Sequence, residues 1–357
     1  MSEIIINKEQ TNFIKGFGIL LIMLHNYFHL VAPNTGQNEF IFNAQNVQNL
    51  FSIISNSYLE TINVLFSFFG HYGVQLFVFI SGYGLSKSYI TKQRSFFMFS
   101  IKRISKIYPP FLITILIILI YKVTLGSSAI NTDWITRVFT KILMLHTLLP
   151  GEALSFVGPW WFYGLIVQLY LLFIPLFYII KRWKGKGFLF ILTLSYLLIF
   201  YLYTPLMDRN IFVMANAPGH IPEFALGILI ALNPNLTTKV WHTPFLLLLF
   251  ILGNFYFPFF PFTFIIITYL LVLCILYFLR KELMPIKFIL FYGEISMFLF
   301  VIHGICRDPF TNLARASNNP VLTIVLSLFY ILTVTLLAFL FKKVYVLTKN
   351  VIIKHNY

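Results

Sequence analysis

Apolar runs of about twenty residues recur along this chain, separated by short polar or basic loops. A helix rises about 1.5 Å per residue, so each run is long enough to cross the roughly 30 Å hydrocarbon core of a bilayer. The runs predict crossing helices at roughly 13–31, 70–90, 107–125, 159–180, 188–204, 218–232, 243–258, 259–279, 288–305 and 320–341. They are continuous and do not alternate with period two, which argues against a β-barrel. The expected fold class is therefore an all-α polytopic membrane protein with about ten transmembrane helices, a single domain over 1–357.

One shorter stretch, 137–149, carries Arg137, Lys141 and His146, and loop charge decides its fate. If it crosses, the basic loops 87–106 and 181–187 fall on opposite sides. If it does not, twenty of the 26 lysines and arginines fall on one side and six on the other. Positive loops favour the cytoplasm, so the expectation is ten crossings with both termini cytoplasmic. Segment 126–158 then becomes an outer or re-entrant segment, and 33–69 the longest outer loop. No removable signal peptide is expected, since the first ten residues lack a basic start and a small-residue cleavage site.

Composition agrees. The chain is 59% hydrophobic and 10% charged, with a mean hydropathy of +0.84, against roughly 25% charge in a soluble globular protein. The net charge of +15 invites a nucleic-acid reading. The basic residues lie in the loops between apolar spans, where bilayer orientation accounts for them, so no nucleic-acid partner is expected. Cys274 and Cys306 have no paired or metal-like spacing.

Chemistry is first visible as a pair of histidines. His25 and His29 stand one helical turn apart on one face of the first span, and ionisable groups at membrane depth are candidates for function. By helical rise His25 lies about 18 Å above the inner start at Phe13, and His303 about 22 Å above Phe288. Six of the eight histidines, all but His242 and His355, map to the outer half. His71 and His220 open spans, where capping or interfacial roles are common, and His146 is expected at the surface. A metal site at His25 and His29 would suit one-face ligation. No local carboxylate or HExxH completes it, so no metal is expected.

Five segments in chain order, from Lys15 to His303, resemble one family. They are Lys15-Gly16…His25, the turn Phe77…Ser81-Gly82-Tyr83-Gly84, and the basic run Lys102-Arg103…Lys106-Ile107-Tyr108-Pro109. The others are Pro159-Trp160-Trp161-Phe162…Gln168-Leu169-Tyr170 and Ser296…His303. Together they resemble the acyltransferase-3 family, integral membrane enzymes that acylate sugars and other acceptors. Three departures stand out. The helix-one histidine of the family commonly sits one position later, where this chain has Asn26. The family's carboxylate before Gln168 is replaced by Ile166 and Val167, with Glu223 and Asp308 as candidate substitutes. The first basic residue is Lys15, where arginine is usual.

The resemblance implies a plasma-membrane acyltransferase that moves an acyl group, most plausibly acetyl, from cytoplasmic acyl-CoA to a hydroxyl of a cell-surface glycan or glycolipid. His25 would be the general base, because an imidazole accepts and returns protons near neutrality. Asn26, His29 and His303 would orient substrate or stabilise the oxyanion. Lys102, Arg103, Lys106 and Tyr108 would hold the CoA phosphates, although the cations also serve as topology signals. Trp160, Trp161 and Glu223 are expected on the acceptor side, with an interfacial belt as the plainer role of the two tryptophans. Ser81 is a weak nucleophile candidate, and Gly82 beside it suits close helix approach. The H-x4-D spacing of His303 and Asp308 diverges by about 140° on a continuous helix and is read as coincidence. The rival class is a polysaccharide-precursor transporter or flippase with a histidine proton relay, against which the absence of repeats argues. Acceptor identity, acyl length and oligomeric state are not legible.

Overall fold

In a computed structural model the chain forms helices throughout the described residues, which are 5–33, 36–125, 131–233, 242–281 and 286–355. Lys239 and residues 126–130 of the expected outer segment lie outside them. The long helices are α1 (Lys8–Phe28), α4 (Tyr72–Thr91), α5 (Phe96–Leu125), α7 (Trp161–Met207), α10 (Phe262–Arg280), α11 (Ile286–Cys306) and α13 (Pro320–His355). Between them lie α2 (Gln45–Asn56), α3 (Thr61–Phe69), α6 (Thr132–Ile142), α8 (Ala217–Leu232), α9 (Thr243–Phe255) and α12 (Asp308–Ser317).

Six stretches among the described residues are long and apolar enough to cross a membrane, with α8 and α9 as shorter apolar helices. The chain is a membrane protein. α1 is not among the six; Asn12, Lys15, His25 and Asn26 dilute its hydropathy. At 47 residues α7 would be about 70 Å long if straight. It instead breaks at Lys184, where φ is 49° and ψ is −127°. A Cβ on Gly187 would lie 2.6 Å from the Ile179 carbonyl oxygen, so the two arms pack at backbone distance. The basic Lys181–Lys186 turn expected between two spans is this kink.

Local chemistry sets the helix starts and crossings. α1 begins with a reciprocal capping box: Asn7 accepts from the Gln10 amide at 2.8 Å, and Gln10 accepts from the Asn7 amide at 2.9 Å. A Cβ on Gly16 would collide with the Ile289 carbonyl, and one on Gly293 with that of Asn12, so α1 and α11 cross with their backbones touching. α4 and α8 cross likewise, Gly82 against the Phe224 carbonyl and Gly227 against that of Phe79. The close approach expected at Gly82 is thus seen. α4 and α8 pack at the centre, with α1 and α11 on one flank and α7 on the other. The rim is apolar and exposed, as at Leu116, Ile117 and Ile120 of α5 and Leu328, Phe329 and Leu332 of α13. Such a surface requires a lipid solvent.

Within 33–69, α2 and α3 pack on each other and on α1 and α9. The segment expected to lie outside or re-enter holds α6, whose C-terminal end reaches the middle of α5, where the Tyr108 hydroxyl donates to the Ile142 carbonyl at 2.8 Å. His146, expected at the surface, is fully buried and donates through Nε2 to the Trp160 carbonyl at 3.1 Å. Burial pushes its pKa down to about 3, which keeps the ring neutral.

Lys141 is also fully buried, its ammonium donating to the carbonyls of Ala153 at 3.0 Å and Glu152 at 3.3 Å. Burial lowers its pKa to about 7, against the pull of Glu152. An unfolded lysine near 10.5 therefore binds more protons than the folded one between pH 7 and 10, so stability rises with pH across that window. The detergent-solubilised protein is expected to resist proteolytic cleavage within 143–158 better at pH 9 than at pH 7, after correction for protease activity. Lys141→Met should remove that difference; an unchanged slope in the variant would assign it to another group.

Candidate active site

α1 carries His25 and His29 into a cavity of about 340 Å³, together with Asn26, Gln37, Glu39 and His71. The two rings expected on one face stack at 5.3 Å, and His71 from the start of α4 stands edge-on to His25 at 5.6 Å. The Ser67 carbonyl 3.0 Å from His25 Nδ1 can only accept, so Nδ1 carries the proton. That fixes the tautomer and leaves the Nε2 lone pair towards the cavity. Nε2 lies 3.6 Å from the Glu39 carboxylate, too far for a good hydrogen bond but well within reach of its charge.

The carboxylate that lines the cavity beside His25 is Glu39, from the loop after α1; Glu223 and Asp308 are not among the lining residues. Burial alone would raise the Glu39 pKa. The neighbouring imidazoles, His25 first and then His71 and His29, outweigh that and hold it below the usual carboxylate range. A buried anion is thus maintained beside the candidate base. The sequence signal was available: this loop holds one of only eleven acidic residues and directly follows the histidine helix.

The remaining expected residues divide. Trp161 lines the same cavity. Trp160 does not: it is fully buried, packs on Phe111, and donates from its indole nitrogen to the Val301 carbonyl at 3.0 Å. Neither tryptophan forms an exposed belt, Trp161 being 5% accessible. Glu223 is paired with His220 at 2.7 Å, both fully buried, and Trp161 stacks on that imidazole. The expected Glu223 therefore stands behind the cavity wall. His303 is buried on α11 and donates from Nδ1 to the Phe300 carbonyl at 2.9 Å. It does not line the cavity, whereas Arg307, one turn on, does. Gln168 ties elements together: it donates to Asn216 at 2.8 Å and Thr147 at 3.1 Å, and its carbonyl accepts from the Ala217 amide at 2.9 Å. That amide is one of the unsatisfied donors at the start of α8.

A second cavity, of about 100 Å³, is lined by Lys102, Arg103 and Lys106 together with Lys92, Arg94 and Ser88. The α4–α5 loop thus adds two cations that helix spacing did not reveal. Arg103 donates to Ser88 at 2.9 Å and lies over the Phe99 ring. Tyr108 is turned away, towards Ile142. Five cations around one hollow are the chemistry that suits a polyanion. The two cavities lie at opposite ends of α4: Val74 lines one and Ser88 the other, about 21 Å apart by helical rise. No group of three or more metal-ligating side chains occurs among the described residues.

A family model described as an acyltransferase domain matches residues 9–343, nearly the whole chain. Neither the curated proteins nor the solved structures compared gave a match. The chain, with its two polar cavities and a match of that length, belongs to the acyltransferase-3 family.

Proposed function

We propose that the protein is a ten-crossing membrane O-acyltransferase with cytoplasmic termini in the cell membrane. It takes an acyl group, most plausibly acetyl, from acyl-CoA at the inner face and places it on a hydroxyl of a surface glycan or glycolipid at the outer face. One observation carries the reading: His25, with Nδ1 committed to the Ser67 carbonyl and Nε2 open beside a buried Glu39 carboxylate.

In the proposed reaction the acceptor hydroxyl donates to His25 Nε2. Its oxygen attacks the thioester carbonyl as the proton moves to the imidazole, forming a tetrahedral oxyanion. Glu39, 3.6 Å from Nε2, stabilises the resulting imidazolium by its charge. The C–S bond then breaks and the CoA sulfur takes the proton from Nε2. Asn26 spends one amide proton on the Ile22 carbonyl at 2.9 Å and has a second for the oxyanion. The cation-lined cavity holds the CoA phosphates. Val74, Phe77, Ser81, Gly84 and Ser88 form one stripe of α4 at three- and four-residue spacing, and a Cβ on Gly84 would meet open space. That stripe is a route by which the thioester arm reaches His25.

The test is purified protein with acetyl-CoA labelled in the acetyl group and a simple methyl glycoside. Labelled glycoside is the expected product. Movement of glycoside across proteoliposomes without any acyl donor, and no labelled product, would support a transporter instead.

A further inference from the structure

Among the described residues, Arg307 is the sole lysine or arginine lining the outer cavity. Its side chain is 17% exposed, and its recorded bond, Nε to Asp308 at 3.2 Å, goes to a carboxylate that is 63% exposed. A pair of that kind contributes little in water and leaves the two terminal nitrogens of the fork unspent.

Three of the other polar groups of the cavity face neighbours within the protein. The Glu39 charge faces His25 at 3.6 Å. The Gln37 amide lies 3.4 Å from His29 Nε2, and Asn26 donates to Ile22. Apart from the exposed Asp308 carboxylate at Nε, the half-enclosed guanidinium has no ion pair among the described residues, and an incoming anion can take up its two terminal nitrogens. A carboxylate suits the planar fork bidentately. Trp161 supplies a flat aromatic wall in the same cavity, the surface on which a sugar ring stacks, and 340 Å³ is room for one sugar unit.

We propose that Arg307 forms an anion subsite and that the acceptor is an acidic glycoside, a sugar bearing a carboxylate. This rests on the reading of the outer cavity as the acceptor site. A neutral sugar leaves the guanidinium unpaired, and an amino sugar with a free ammonium is repelled.

The experiment compares kcat/KM for methyl β-D-glucuronide and methyl β-D-glucoside, with acetyl-CoA as donor. Wild type should favour the glucuronide by about tenfold to a hundredfold, the range of a charge-assisted hydrogen bond. Arg307→Gln should bring the ratio close to one, and Arg307→Glu should invert it. Arg307→Lys, which keeps the charge without the fork, should retain part of the preference and guard against misfolding as the cause. Equal use of both glycosides by wild type, or a ratio unmoved by Arg307→Gln, overturns the subsite while transfer itself stands. A preference for succinyl-CoA over acetyl-CoA that Arg307→Gln abolishes would place the carboxylate on the donor and overturn the acceptor assignment. Failure of the underlying reading looks different: no His25-dependent consumption of acetyl-CoA with any acceptor.

Discussion

His25→Ala is expected to lower acyl transfer by about a thousandfold, the middle of the range for a positioned general base. The ring is held by one hydrogen bond from Nδ1 to the Ser67 carbonyl, and truncation removes the nitrogen that faces the cavity beside Glu39. His29→Ala provides the contrast. His29 stacks on His25 at 5.3 Å and lies beside Gln37, while the ion pair with the Glu39 carboxylate is made by His25. Loss of His29 should cost far less. Should His29→Ala abolish transfer while His25→Ala leaves it intact, the base would be the other ring, one turn nearer the outer loop.

The second large effect is expected at the opposite end of α4. Replacing Lys102 and Arg103 together by glutamine should raise KM for acetyl-CoA about a hundredfold, since each charge-assisted phosphate contact contributes roughly a tenfold factor. kcat at saturating donor should change much less, because these residues lie about 21 Å from the histidines by helical rise. The sequence alone leaves these cations two roles, as topology signals and as ligands. Cysteine accessibility of the double variant separates them: inverted labelling would mean a topology signal had been removed, while normal labelling with a raised KM identifies a binding site. An unchanged KM would overturn the donor-site reading.

The legible part of this protein was what helical periodicity encodes. Apolar runs gave the helices, and i, i+4 spacing put His25 with His29 and Lys102 with Lys106. The missed residues come from segments without a period. Glu39 follows a turn that folds the outer loop back over α1. Lys92 and Arg94 sit in the α4–α5 connection. Both reach their cavities through tertiary packing that no spacing rule describes. Trp160 and His146 were misplaced for a related reason. Residues opening an outer span look interfacial in sequence, yet α6 and the chain after it fold over the top of α7 and bury both.

The central claim is transfer from one face of the membrane to the other. It is tested most directly in proteoliposomes of known orientation, with acetyl-CoA supplied only to the face bearing Lys102 and the glycoside only to the face bearing Glu39. The account predicts acetylated glycoside at the rate seen when both substrates are present on both sides. Product that forms only when donor and acceptor share a face would contradict it.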